Sequence, residues 1–168
     1  MSSTSLHVRP LEAGDTDTVH HVFAGLSVTS AYHRFGTGLT LLPPRMAAQL
    51  AAVEPGRHRV LVAELDGRPV GLARWIRPRG GRPDEVEVAL EVGDEWQGRG
   101  VGRALLAEVA RDAEAAGVAT LTAYVAPGNV RMVGWLRRLG ARPPRDLDDV
   151  HRLAVQLATG NSGLAVVA

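Results

Sequence analysis

Hydrophobic and polar positions follow two different periods along this chain, and the change from one to the other predicts a mixed α/β fold. Residues 85–92 alternate polar and apolar side chains, which is the spacing of a β-strand. From Val101 onwards, apolar residues recur at i, i+4 and i+8, the spacing of an amphipathic helix. The turn between them contains Gly98 and Gly100, and Gly102 follows in the first turn of the helix. A glycine-rich turn from strand to helix leaves backbone N–H groups unpaired at the positive end of the helix dipole, so the pattern predicts a site for a phosphate or pyrophosphate.

The rest of the pattern predicts one domain with the element order β–α–α–β–β–β–α–β–α–β–β. A polar stretch over residues 27–40 separates the first two helices, and Asp66-Gly67 between two apolar runs is a strong hairpin signal. We assign residues 1–157 to the domain and expect 158–168 to be a loosely held tail. The predicted helices begin at Asp15, Pro44, Val101 and just after Asn129, and the predicted strands are 6–10, 60–65, 69–76, 85–92, 120–125, a weak edge strand at 142–149 and a final strand at 150–157.

Composition narrows the possible functions. The 168 residues suit one domain, and the absence of cysteine excludes a disulfide, a thiolate nucleophile and a Cys-type zinc site. A net charge of +1 argues against nucleic acid as the main partner, although all 19 basic residues are arginine. The chain opens without a basic segment and apolar run, and no apolar stretch approaches the roughly 20 residues of a membrane span. We therefore expect a cytoplasmic, bacterial protein with no metal, no membrane contact and no nucleic-acid partner.

The glycine-rich turn can be compared with three phosphate-binding motifs. The dinucleotide pattern G-x-G-x-x-G fails because its third glycine falls on Arg103. The P-loop pattern fails because Arg99 and Gly100 stand where Lys and Ser or Thr are needed. Gln97-x-x-Gly100-x-Gly102 instead resembles the acetyl-CoA motif, Q/R-x-x-G-x-G/A, of the GNAT N-acetyltransferase superfamily. The resemblance implies the GNAT fold, a mixed, mostly antiparallel central sheet of six to seven strands flanked by about four helices, with a V-shaped splay between the fourth and fifth strands.

The same resemblance, strongest over residues 60–141, implies where acetyl-CoA binds. Backbone amides of the turn would hold the CoA pyrophosphate, and the two arginines of the turn would add charge-assisted contacts to its phosphates. Asn129 matches the first residue of the family's N-x-x-A-x-x-h-Y-x-x-x-G element, but Leu136 stands where many members place the Tyr that protonates the leaving thiolate. The implied cofactor-binding residues are Val92, Gln97, Gly98, Arg99, Gly100, Val101, Gly102, Arg103 and Asn129.

One face of the strand that precedes the turn carries Glu85, Glu87 and Glu91. This face is either a half-exposed sheet surface or the wall of a cleft that receives a cationic amine, where crowding and burial would raise a carboxyl pKa towards the range of a general base. The resemblance implies that Glu87 is the base, directly or through water, because the family's A-E-h-A-h-h-V strand places its glutamate there. Glu91 would share that role or shape the local field. A bulge near Val92-Gly93 would supply a backbone N–H that polarises the thioester carbonyl.

Residues 30–35 lie where GNAT enzymes usually shape the acceptor pocket, and their Ser…Arg-Phe pattern resembles the catalytic domain of bacterial protein-lysine acetyltransferases. The implied activity is direct transfer of an acetyl group from acetyl-CoA to a primary amine, most simply a protein lysine, by a monomer or homodimer. Acetylation of a small-molecule amine and a non-catalytic acyl-CoA-binding regulatory module are the alternatives. The implied acceptor-binding residues are Ser30, Tyr32, Arg34, Phe35 and Tyr124.

Overall fold

A computed structural model describes residues 5–126, 128–142 and 151–157. Within them, five α-helices flank one six-stranded sheet, whereas the sequence predicts about four helices. None of the described helices is long and apolar enough to cross a membrane. The strands are β1 (Leu6–Pro10), β2 (His58–Leu65), β3 (Arg68–Ile76), β4 (Glu85–Val92), β5 (Thr120–Val125) and β6 (His151–Gln156). The helices are α1 (Thr16–Ala24), α2 (Val28–Phe35), α3 (Pro44–Leu50), α4 (Val101–Ala115) and α5 (Val130–Arg138), with a 3-10 turn at Asp94–Trp96.

The strands lie in sequence order across the sheet, and every neighbouring pair is antiparallel except β4 and β5. The parallel β4–β5 ladder runs only from Glu85↔Thr120 to Val88↔Ala123. Beyond this point β4 continues to Val92 without pairing to β5. A wedge therefore opens between the carboxyl ends of the two strands. This wedge is the V-shaped splay that the family resemblance implies.

The helix α2 is absent from the prediction, which treats its residues as part of a polar connection. Ser27 caps its first turn by accepting the N–H of Ser30, and Gly36, with a φ of 72°, ends it in the left-handed conformation. Ala31 is its buried residue, so the apolar stripe that would reveal the helix is very short. The pair of capping residues was the available signal.

The other described elements agree with the sequence prediction to within a few residues. The β2–β3 hairpin turns through Asp66 and Gly67, which have φ values of 50° and 78°. The bounds of β4 are those predicted, and the final strand occupies His151–Gln156. Apart from Arg142, the predicted weak edge strand lies outside the described residues, and so does the predicted tail at 158–168.

Two hydrophobic cores lie on opposite sides of the sheet. The larger core packs α4 and α5 against one side, and the smaller core packs α1 and α3 against the other. The α4 face of β4, as we call it, points into the larger core and consists of Val86, Val88, Leu90 and Val92. The α2 face of β4 points to the opposite side, where α2 contacts it, and consists of Glu85, Glu87, Ala89 and Glu91.

Candidate active site

The wedge between β4 and β5 opens into a cleft of about 570 Å³. Its walls are the diverging ends of the two strands, the first turn of α4, one side of α2 and the cleft-facing side of α5. Both faces of β4 contribute, because Ala89 and Glu91 line the cleft together with Leu90. Most of the predicted cofactor-binding residues also line it, namely Val92, Gln97, Gly98, Gly100, Gly102, Arg103 and Asn129.

The two remaining predicted cofactor residues do not line the cleft. The Arg99 guanidinium lies over the ring of Trp96, 5.1 Å from its centroid. The side chain of Val101 is buried in the larger core. The side chains of Arg99 and Val101 are thus engaged with the protein, which leaves the backbone groups of these two residues for a ligand in the cleft.

The N-terminus of α4 has the form of the anion site that the sequence predicts. Gly100 is its N-cap, with a φ of 85°, and among the described residues no side chain caps this 15-residue helix. Gly98 adopts a φ of 74°, and a Cβ placed on Gly102 would lie 3.6 Å from the side chain of Leu90. Gly98 and Gly100 therefore hold the left-handed turn that glycine favours, and without side chains they leave open the space in front of the uncapped N–H groups. These residues fit the pyrophosphate of CoA.

Gln97 and Asp94 connect the glycine-rich loop to α2. The side-chain amide of Gln97 donates to the Val92 carbonyl oxygen at 3.0 Å and to Ser30 Oγ at 3.4 Å. Asp94 accepts the backbone N–H of Ser27, the cap of α2, at 3.0 Å. Burial raises the pKa of Asp94, but the hydrogen bonds from Ser27 and Ser30 outweigh it and lower the pKa. The loop and the helix beside it therefore form one hydrogen-bonded unit.

The backbone of β4 decides which amide groups face the wedge. The β3–β4 register is continuous from Glu87 to Val92, and the N–H of Gly93 donates to Val70 at 3.0 Å. The predicted bulge near Val92-Gly93 is therefore wrong, because the chain pairs regularly there. Antiparallel strands turn alternate residues to alternate edges, so Leu90 and Val92 present their N–H and C=O groups to the β5 side. The N–H of Leu90 thus points into the wedge without a bulge.

Glu91 is the carboxylate whose surroundings differ most from the prediction. Its side chain is only 4% exposed, and its Oε2 accepts Arg34 Nε at 2.6 Å. Its Oε1 accepts Arg74 from the neighbouring strand β3. Burial raises the pKa of Glu91, but the charges of Arg74 and Arg34 outweigh it, so the pKa is lowered and the predicted rise is wrong. With both oxygens in ion pairs, Glu91 is not placed to share the role of base.

The other two carboxylates of the α2 face differ from each other. Glu85 accepts the hydroxyl of Thr122 at 2.7 Å. The half-buried Glu87 lies outside the set of residues that line the cleft. Among the described residues, no hydrogen bond or ion pair engages the Glu87 carboxylate. The predicted acidic wall is therefore one neutralised glutamate in the cleft and two glutamates beside it.

Three of the predicted acceptor-binding residues line the cleft and two do not. Ser30, Arg34 and Tyr124 are in its wall. Tyr32 is 53% exposed on α2 and is not among the lining residues, and Phe35 packs on Phe23 in the smaller core with ring centroids 5.8 Å apart. The α2 helix explains the division, since residues at successive helical positions cannot all face one side.

Asn129 and Leu136 mark the α5 side of the cleft. Asn129 lines the cleft and caps α5, because its Oδ1 accepts the N–H of Met132 at 3.2 Å, and this cap does not use its amide nitrogen. Leu136 is buried and lines the cleft, so this position offers no hydroxyl as a proton donor.

Sequence reasoning missed several residues that the fold brings to the cleft or to the buried ion cluster beside it. Arg131 donates to Gln97 Oε1 at 3.3 Å, and its helical spacing on α5 was the available signal. Arg74 stands as a lone charge inside the apolar run of β3, a pattern that points to a buried partner. Among the residues that the structure describes, no group of His, Cys, Asp or Glu could hold a metal ion. The unpredicted cleft residues include His33, Arg131, Met132, Trp135 and Arg138.

The fold, the splayed strands and the uncapped glycine-rich helix start are features of one family. The model of the Acetyltransferase (GNAT) family matches residues 27–141. The chain therefore belongs to the GNAT acetyltransferase family, whose members use acetyl-CoA.

Individual relatives and solved structures show which members of the family this chain is similar to. The chain is 31% identical over 138 residues to the acetyltransferase Pat of Mycolicibacterium smegmatis and 30% identical over 142 residues to the mycothiol acetyltransferase of Nocardia farcinica. These matches cover 80% and 84% of this chain but 40% and 42% of the relatives, so the chain spans about two fifths of their length. The solved GNAT domain of Streptomyces lividans PAT is 30% identical, with a TM-score of 0.84 over 90% of both chains. The yncA acetyltransferase of Salmonella typhimurium, solved with its cofactor acetyl-CoA, shares the fold at 21% identity, with a TM-score of 0.71 over 95% of this chain and 98% of that one.

Proposed function

We propose that this chain is an N-acetyltransferase that transfers an acetyl group directly from acetyl-CoA to a primary amine, with a protein lysine as the first acceptor to test. The observation that carries the proposal is the uncapped, glycine-rich N-terminus of α4 in the wedge where β4 and β5 separate. Membership of the GNAT family supports acetyl transfer from acetyl-CoA. The Ser30…Arg34-Phe35 pattern, with its resemblance to protein-lysine acetyltransferases, supports the lysine acceptor.

The residues of the wedge account for binding and activation. Acetyl-CoA, when bound, supplies a thioester whose carbonyl carbon an amine can attack. The first N–H groups of α4 hold the pyrophosphate, and Gly100 and Gly102 leave its approach open. The N–H of Leu90 faces the wedge and donates to the thioester oxygen as negative charge develops there. Asn129 offers its amide nitrogen to the pantetheine arm from the opposite wall.

Glu87 is the proposed general base. A lysine ammonium, with a pKa of about 10.4, must lose a proton before its nitrogen can attack. Arginines hold both oxygens of Glu91 and Thr122 donates to Glu85, which leaves the carboxylate of Glu87 as the available one on this face. Since Glu87 stands outside the cleft wall, a water carries the proton from the amine to it. The leaving thiolate, from a thiol of pKa about 8.5, needs little protonation, which is compatible with Leu136.

The decisive experiment measures thiol release from acetyl-CoA with a lysine-bearing protein for wild type, Glu87→Gln and Glu85→Gln. Glu85 is the matched control, because it lies on the same face of the same strand. We expect Glu87→Gln to lower kcat by about 10²–10⁴-fold and Glu85→Gln to change it little. Equal rates for wild type and Glu87→Gln would remove Glu87 from the mechanism.

A small-molecule acceptor is the second candidate, and the relative named for mycothiol favours it because its identity to this chain is close to that of Pat. A screen of amines with the same assay separates the two acceptor classes. Tight CoA binding without turnover of any protein or small amine would instead support a non-catalytic acyl-CoA-binding module.

A further inference from the structure

The α2 side of the cleft carries an excess of positive charge. We propose that Arg34 binds a carboxylate of the acceptor, so that the acceptor is a primary amine with a carboxylate close to its nitrogen in space, either its own, as in an α-amino acid, or that of an acidic residue beside a lysine. The inference rests on the proposed function, because it names the class of amine that the same site would acetylate. It also reverses the expectation of an acidic cleft for a cationic amine.

The buried cluster of Arg34, Arg74 and Glu91 has two positive charges and one negative charge. Arg74 and Arg34 both contact Glu91, which leaves one positive charge uncompensated within the cluster. One arginine is enough to neutralise a buried carboxylate. The side chains of Arg74 and Glu91 are 1% and 4% exposed, so they form a buried ion pair, and Arg74 also donates to the Leu50 carbonyl at 3.4 Å. The second arginine therefore brings a positive charge that no second carboxylate of the cluster balances.

Arg34 is the arginine of this cluster that places the excess positive charge in the cleft wall. Its side chain is 20% exposed and lines the cleft, whereas Arg74 is outside the lining. Among the described residues, Arg34 uses only Nε in a hydrogen bond, to Glu91, and its guanidinium lies 4.8 Å from the centroid of the Phe35 ring. Glu91 and Phe35 thus fix the plane of the guanidinium while both Nη groups stay available. Two parallel N–H donors in a fixed plane match a carboxylate.

The position of Arg34 along α2 separates this carboxylate from the phosphates of CoA. Ser30 contacts Gln97 of the phosphate-binding loop, and Arg34 lies one helical turn further from that loop. Arg34 contacts Glu91, the residue next to Leu90, whose N–H faces the reacting thioester. The free edge of the guanidinium is therefore beside the site of acyl transfer, where the acceptor sits.

The remaining charges of the cleft agree with this assignment. Glu91 is the one carboxylate in the described lining, and it is already paired. The other charged residues of the lining are Arg103, Arg131 and Arg138. An acceptor with several ammonium groups would meet no free carboxylate there, whereas an acceptor with its own carboxylate would have a partner.

The test compares matched acceptors in the thiol-release assay. Each free α-amino acid is paired with its carboxamide, and a one-lysine peptide with glutamate beside the lysine is paired with the glutamine peptide. We expect wild type to prefer the carboxylate member of one pair by about 10–100-fold in kcat/KM, the factor lost when a charged hydrogen-bond partner is removed. Whichever pair shows the preference identifies the source of the carboxylate.

Three variants test whether Arg34 causes the preference for the carboxylate acceptor: Arg34→Gln, Arg34→Lys and Arg131→Gln. Arg34→Gln should reduce the carboxylate-to-carboxamide ratio to near one, and Arg34→Lys should restore it only in part because lysine lacks the planar fork. Arg131→Gln, the cleft-arginine control, should raise the KM for acetyl-CoA and leave the ratio unchanged. A ratio that is near one in wild type, or that survives Arg34→Gln, would overturn the inference while acetyl transfer stands.

A binding measurement keeps the two proposals distinguishable if turnover is absent. Calorimetric titration of the CoA-loaded protein with the same pairs reports carboxylate recognition without chemistry. Tighter binding of the carboxylate member that is lost in Arg34→Gln, with no turnover, would support the inference and contradict the proposed function. Equal binding of both members in wild type would contradict the inference. CoA binding of Arg34→Gln at the wild-type affinity serves as the check that the variant is folded.

Discussion

The two faces of β4 come from one run of alternating residues, yet they acquire their properties in different ways. The α4 face is apolar, and it packs on α4 as its own sequence requires, with Val86 fully buried. The α2 face carries three glutamates, but arginines outnumber the buried one, Glu91, two to one. Arg74 comes from β3 and Arg34 from α2. An apolar face can thus be read from its own strand, whereas the charge of a polar face depends on what other elements bring to it.

Breaking the buried ion cluster should have the largest effect on stability. Glu91→Leu leaves Arg74 buried without its partner, so we expect a loss of about 3–5 kcal/mol in the free energy of unfolding. The double variant Glu91→Leu/Arg74→Met removes both charges and should recover a large part of that loss. Urea denaturation of the single and double variants measures the difference.

An exposed ion pair provides the control for this comparison. Arg57 and Glu54 are 2.8 Å apart with side chains 32% and 56% exposed, so Glu54→Ala should cost no more than about 1 kcal/mol. A Glu91→Leu loss as small as that of Glu54→Ala would contradict the view that the α2 face is held by buried charge.

The two ends of α4 allow a sharper test of the cofactor side. Gly100 and Gly117 have φ values of 85° and 79°, and an added Cβ would meet no protein atom within 4 Å at either position. Alanine at each should therefore cost a similar amount of stability, about 1–2 kcal/mol. Only Gly100→Ala places its methyl group in front of the helix N-terminus, so it alone should weaken acetyl-CoA binding, by about tenfold, or ~1.4 kcal/mol. Calorimetric Kd values for the two variants decide the matter, and equal Kd values would argue against pyrophosphate binding at this helix.

The smallest effect concerns Asp94, which joins the cofactor loop to α2. Asp94→Asn keeps an oxygen that accepts the Ser27 N–H but removes the negative charge that strengthens this hydrogen bond, so it should cost about 1 kcal/mol at pH 7. Because hydrogen bonds from Ser27 and Ser30 lower the pKa of Asp94, its contribution is complete above the unfolded value of 3.8 and is lost as the pH falls below it. The stability difference between wild type and Asp94→Asn should therefore shrink below about pH 3.8. Thermal denaturation as a function of pH measures this.

Asp15 offers a matched control for Asp94. It caps α1, and although burial raises its pKa, the hydrogen bonds from Thr18 outweigh burial and lower it. Asp15→Asn should show the same pH dependence of stability but leave the KM for the acceptor unchanged. Asp94→Asn should raise that KM, since it loosens α2. Identical acceptor KM values for the two variants would show that the loop and α2 act independently.

The fold was largely predictable because its main signals are local. Two-fold alternation over residues 85–92, the Asp66-Gly67 turn and the glycines before Val101 each specify their own backbone. The helix α2 was not predictable in the same way, because its burial of Ala31 alone leaves almost no apolar stripe. That one omission mattered, since α2 supplies Arg34 to the cleft.

The candidate site shows the same difference between features with a local signal and features without one. Backbone features at the glycine-rich turn were predictable, because glycine spacing and an uncapped helix start are properties of the chain itself. Side-chain pairings such as Arg74 with Glu91 were not, because they join residues that are distant in sequence and carry no shared local pattern. The pKa of Glu91 could therefore not be given its correct direction from β4 alone.

The sequence by itself determined the strand, the glycine-rich turn and the helix that together form an anion site, because each follows from short-range spacing and backbone freedom. Only the tertiary structure decided what that site faces. Separation of β4 from β5 beyond Val88 opens the cleft, and the packing of α2 and β3 on β4 brings Arg34 and Arg74 to Glu91. Electrostatic potential is a sum over all neighbouring charges, so a wall that reads as acidic along one strand becomes the basic side of the folded cleft.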